Sequence, residues 1–182
     1  MNFKNTLLGL VTLAGTVVTP AMAGYQVDGY HLMDGSDFNG NEAVATEMIN
    51  NLTEMGIPVL DGGKNDLPMC EAQDDKILLG AYAPGPNVMI ICSAHGHKDL
   101  MFETLVHETV HVIQDARDGL ENSTLVEGSD SYLNDLVSDL DPRKAQNIVS
   151  LYDKEDYGVE IEAFYFEDKG EVVNDELKKW VF

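Results

Sequence analysis

The sequence predicts an α+β fold. Short apolar runs suited to strands lie in the first half of the chain, helical periodicity dominates the second half, and the two do not alternate as they would in a parallel α/β sheet. A small N-terminal sheet, mixed or antiparallel, is therefore expected to pack on one long helix near the middle of the chain, with helices making up the C-terminal part.

The elements follow in order. A short cationic start ending at Lys4, an apolar run from Leu7 to Val18 and the sequence Ala21-Met22-Ala23 are the parts of a secretory signal peptide. Cleavage after Ala23 is expected, leaving residues 24–182 as one domain. The apolar run is short for a membrane anchor, and no other stretch is apolar enough to span a bilayer.

Tyr25 to Met33 alternates loosely and predicts a first strand. Asp34 to Asn41 is a turn; Asp37, Asn39 and Asn41 have the alternate spacing of a calcium loop, but Glu42 stands where that loop needs glycine. Val44, Met48, Leu52 and Met55 predict a helix from Glu42, with Asn41 as its N-cap and Gly56 as its stop.

Ile57 to Leu60 predicts a strand, and Ile77 to Tyr82 with Val88 to Cys92 a hairpin around Pro84 to Pro86. Beyond the central helix a loop is expected around Gly119 to Thr124. Asp141-Pro142 separates two further helices, and Val159 to Asp168 and Glu171 to Val181 close the chain.

The central helix contains Leu105 to Gln114, LVHETVHVIQ, and so a His-Glu-x-x-His motif at His107, Glu108 and His111. Histidines four apart on a helix differ by about 40° of arc and one turn of rise, so both imidazoles reach one ion. Glu108 lies about 100° round the helix, where its carboxylate meets a water beside the metal rather than the metal itself. Met101, Leu105, Val106, Val112 and Ile113 fill the opposite side, as the buried face of such a helix requires.

The 182 residues carry a formal charge of −21, and loss of Lys4 with the leader makes it one unit more negative. Nucleic acid and anionic membranes would repel such a chain, which excludes them as expected partners. Cys70 and Cys92 are the only cysteines, and in an exported chain an even pair predicts a disulfide. A structural zinc held by Cys70, Cys92 and His95 or His97 is the weaker alternative.

A catalytic zinc takes three protein ligands, so His107 and His111 need a partner. His95 and His97 lie upstream; Glu160, Glu162 and Glu167 lie downstream. Here the chain resembles the gluzincin group of zinc metallopeptidases, which have a zincin-like fold. The resemblance rests on HETVH in one helix and on the later Glu162-Ala163 dipeptide, within residues 82–117 and 159–167. It implies a zinc ion held by His107, His111 and Glu162, with Glu108 as general base.

It also implies that the strand around Val88 to Cys92 lines the cleft and pairs with an extended peptide. Some members place an aspartate four residues after the ligand glutamate to orient a histidine. Phe166 occupies that place here, leaving Gln114 and Asp115 as candidates for the role.

The expected function is an exported, secreted or periplasmic zinc peptidase acting on a peptide or protein substrate. Tyr157, Tyr165, His95 and His97 are candidate donors to the developing oxyanion. The alternatives are a non-catalytic binding protein that keeps the fold, and an exported acidic protein with a structural metal.

Overall fold

The computed structural model describes residues 29–71, 77–95, 98–118 and 130–181. Among them are six α-helices and one three-stranded mixed sheet, so the fold is α+β. The expected leader, residues 1–23, and the loop read at 119–124 lie outside the described residues.

The strand read at Tyr25 to Met33 does not form over its described part. Leu32 makes only an isolated antiparallel bridge with Leu60, and the Met33 N–H donates to Val59 O.

Helix α1, Glu42–Glu54, buries Ala45, Met48, Ile49 and Leu52, one face at helical spacing. It stops at Gly56, whose φ of +79° suits glycine. There the Gly56 N–H reaches Thr53 O and the Ile57 N–H reaches Leu52 O, the paired bonds of a left-handed C-terminal cap.

Strand β1, Val59–Asp61, then runs parallel to β3, Val88–Ile91, while β2, Gly80–Ala83, pairs antiparallel with β3. The order is β1-β3-β2, which makes β3 central. The β2–β3 turn is the one expected at the prolines, completed by Asn87 at φ 55° with its N–H on Pro84 O. Cys70 and Cys92 form a disulfide, so their sulfurs cannot serve a second zinc.

Helix α2, Lys98–Asp118, packs against β2 and β3 and also against α5, Tyr157–Phe166, and α6, Gly170–Leu177. Its Leu105, Val106, Val112 and Ile113 join the main core with Met48, Leu52, Met89 and Leu177. Each such side chain, fully buried, contributes roughly 1.5–3 kcal/mol.

Helices α3, Asp130–Asp139, and α4, Pro142–Leu151, pack on α5. Helix α4 begins as its sequence requires: Asp141 accepts from the Arg143 N–H and Pro142 occupies the first turn. Among the described residues no helix is long and apolar enough to cross a membrane.

Candidate metal centre

His107 and His111 lie on α2 and Glu160 on α5, and these three buried residues form a group that could hold a metal ion. His107 Nε2 is 3.4 Å from Glu160 Oε2 and His111 Nε2 is 3.6 Å from Glu160 Oε1. Those separations are long for hydrogen bonds. They match the edge, about 3.3 Å, of a tetrahedron whose ligands lie about 2.0–2.1 Å from its centre.

The Nε2 atoms are buried and lack a hydrogen-bond partner, as does Glu108 Oε1. Both Nδ1 atoms, in contrast, are engaged. His107 Nδ1 is 3.1 Å from Glu167 Oε2, and His111 Nδ1 is 2.7 Å from Gln114 Oε1. A carboxylate and an amide oxygen only accept, so each histidine carries a proton on Nδ1 and turns Nε2 inward, His111 with its lone pair available and His107 with a second proton beside Glu160 that a bound cation would replace.

These partners are themselves held. Lys144 Nζ, from α4, lies 2.9 Å from Glu167 Oε1, and Gln114 Nε2 donates to Glu162 Oε2 at 3.1 Å. The Phe164 ring meets His107 edge-on with centroids 4.8 Å apart.

Glu162, the third ligand implied by the resemblance, is thus placed one layer further out. Besides Gln114 it accepts from Tyr132 Oη at 2.9 Å and Arg117 Nη2 at 3.3 Å. The reason is helical phase: Glu162 is two residues, about 200° of arc, from Glu160, whereas Glu167 is seven residues on and returns to within about 20° of it. Glu160 and Glu167 therefore face His107 together, while Glu162 meets α2 further along, at Gln114 and Arg117. That i, i+7 pairing is the signal in the sequence that distinguishes Glu160 from Glu162.

Other expected residues fall as follows. His97 and the side chain of His95 lie outside the described residues. The Tyr157 hydroxyl donates to Val149 O at 3.4 Å, while the Tyr165 ring stacks edge-on against Phe166 with Lys169 Nζ above it. Of the two candidates for orienting a histidine, Gln114 does so and Asp115 instead accepts from the Tyr82 hydroxyl at 2.8 Å.

The strand expected to line a cleft is also different. β3 has a neighbour on each side and no free edge, whereas β1 and β2 are the outer strands, and of these β2 lies against α2. From β2 the Tyr82 N–H donates to Glu108 Oε2 at 2.8 Å.

The electrostatics follow from burial amid carboxylates. Burial disfavours a charged His107, but Glu160 and Glu167 outweigh it and raise the imidazole to about 10. Burial takes His111 down to about 4. Burial also raises Glu108 to about 7, against the opposing influence of His107 and the Tyr82 N–H.

Lys144 answers the charge of Glu167, and the proton on His107 answers that of Glu160. A divalent cation between the two Nε2 atoms and Glu160 would do the same and occupy the unpartnered nitrogens, so the donor set fits one. No protein-family model, curated protein or solved structure matches the chain.

Proposed function

We propose that this chain is an exported zinc-dependent hydrolase that cleaves peptide bonds, with His107, His111 and Glu160 as ligands. The observation that carries this reading is Glu108: a buried carboxylate beside the ligand group but not part of it, with one oxygen held by the Tyr82 N–H and the other without a hydrogen-bond partner. A purely structural centre has no use for such a group, whose burial alone costs several kcal/mol when ionised.

Two histidines and one glutamate suit zinc, which when bound polarises a carbonyl and makes water acidic near neutral pH. Glu108 accepts a proton from the attacking water at Oε1, the oxygen that has no hydrogen-bond partner. It then delivers that proton to the amine nitrogen as the C–N bond breaks. Glu167 and Gln114 keep both imidazoles in the required tautomer.

A helix carrying HETVH, an edge strand beside it and a ligand glutamate on a later helix support a zincin-like arrangement with Glu160 in the role that the resemblance implies for Glu162. The Cys70–Cys92 disulfide is compatible with an oxidising, extracytoplasmic compartment.

One observation favours a second reading, a structural metal in an exported acidic protein: His107, Glu108 and Glu160 are 0% exposed and His111 1%. The two part on one substitution. Glu108→Gln in the zinc-loaded protein is expected to keep the metal and abolish hydrolysis of dye-labelled casein. Unchanged hydrolysis in that variant, or none in the zinc-loaded wild type, would leave the structural reading standing.

A further inference from the structure

We propose that Tyr82 is a positioning residue for Glu108: its phenol clamps the edge strand β2 to α2 so that its own backbone N–H aims the Glu108 carboxylate. This rests on the reading of Glu108 as proton acceptor.

The direction of that N–H follows from the sheet. Tyr82 pairs with Met89 across the β2–β3 ladder, and Met89 turns its N–H the other way, to Pro58 O. Tyr82–Met89 is therefore a pair without mutual hydrogen bonds, in which both residues point their N–H groups outward. For Tyr82, outward is toward α2, where the N–H meets Glu108 Oε2 at 2.8 Å.

The strand approaches closely because Gly80 has no side chain: a Cβ there would lie 2.5 Å from Thr104 Cγ2. At the other end the Tyr82 hydroxyl donates to Asp115 Oδ2 at 2.8 Å and lies 3.2 Å from Asn87 Oδ1. Asp115 is seven residues, two turns, beyond Glu108 on α2, so both acceptors present themselves along one line of the helix. One residue thus grips α2 twice, by backbone at Glu108 and by side chain at Asp115. Tyr82 is 5% exposed and its N–H bond to Glu108 is buried away from water, while the bond to Asp115 is half-buried.

The test uses Tyr82→Phe, which keeps the buried ring and removes only the hydroxyl, with Asp115→Ala and Asp115→Asn in the full zinc-loaded chain. Dye-labelled casein is the substrate, and exchange of the Tyr82 amide with deuterium gives a readout that needs no substrate.

In Tyr82→Phe and Asp115→Ala, kcat is expected to fall on the order of tenfold, since sub-ångström misplacement of a reacting group is costly. KM and zinc content stay within about twofold, and the Tyr82 amide exchanges faster. Asp115→Asn, which still offers an oxygen acceptor, restores the wild-type values.

If Glu108→Gln abolishes hydrolysis while Tyr82→Phe leaves both kcat and amide protection unchanged, the clamp is overturned and the hydrolase reading survives. If zinc content falls and KM rises along with the loss of kcat, the phenol is merely structural and the proposal is wrong. If the wild type hydrolyses nothing, the hydrolase reading fails. Amide exchange then still decides whether the phenol holds the N–H on Glu108.

Discussion

Gln114 connects His111 to Glu162: its Oε1 lies 2.7 Å from His111 Nδ1 and its Nε2 donates to Glu162 Oε2 at 3.1 Å. The amide cannot rotate without setting its N–H groups against the imidazole N–H, and Glu162 opposes that rotation. Gln114→Ala should therefore leave His111 free to turn and weaken zinc binding about 10–100-fold. Competition against a chromophoric chelator measures this, and unchanged affinity would remove Gln114 from the site.

Glu160→Ala and Glu162→Ala should differ in kind. The first removes a carboxylate whose Oε2 stands 3.4 Å from His107 Nε2 and whose Oε1 stands 3.6 Å from His111 Nε2, and should abolish stoichiometric zinc binding. The second strips a shared acceptor from Gln114, Arg117 and Tyr132. It should lower stability by about 1–3 kcal/mol, because these buried and half-buried donors lose a shared acceptor, while most of the zinc remains. Zinc per chain in the two purified variants decides the ligand; the reverse pattern would return the role to Glu162.

The parts of this molecule legible in the sequence are those written in local spacing. Helix α1 ends at Gly56, α4 begins at Asp141-Pro142, and His107 and His111 share a face because they are four apart. The hairpin of β2 and β3 was readable from its prolines, but β1 joins β3 in parallel across a long intervening segment, and no local pattern specifies that pairing. In the site, choosing among Glu160, Glu162 and Glu167 required the phase of α5 relative to α2. The grip of Tyr82 on Glu108 runs through a backbone N–H, which every residue but proline carries and no side-chain pattern announces.

The disulfide offers a test independent of the metal. Cys70 and Cys92 are 22 residues apart, and closing a loop of that size stabilises a fold by about 3 kcal/mol through the unfolded chain. Both side chains are buried with Leu60, Val88 and Ile90, so alanine is the replacement that leaves no unsatisfied hydroxyl. Cys70→Ala/Cys92→Ala should melt on the order of 10 °C lower while its folded form still takes up zinc, since the bond lies in a separate cluster from His107. Calorimetry with zinc analysis checks both parts, and loss of zinc at temperatures where the variant is folded would tie the disulfide to the site.

Zinc and protons should compete at His107. Its folded pKa, about 10, lies above the ordinary 6.5 because Glu160 and Glu167 outweigh the effect of burial. A raised pKa means that the fold binds a proton the unfolded chain releases. The resulting stability is fully present below pH 6.5 and is lost as pH rises through 10. Glu108, raised to about 7 by burial, adds a loss of the same sign between its ordinary 4.5 and 7.

His111 works the other way: lowered to about 4, it contributes stability above 6.5 that disappears as pH falls through 4. Protein stripped with a chelator should therefore become less stable between pH 7 and 10. The zinc-loaded protein should show no such decline, because the cation has taken over the role of the proton on His107. Zinc binding near pH 7.5 should accordingly release protons, with an apparent enthalpy that varies with the ionisation enthalpy of the buffer. An enthalpy independent of buffer, together with a flat stability profile from pH 7 to 10 in the stripped protein, would show that no proton sits between His107 and Glu160 for zinc to displace.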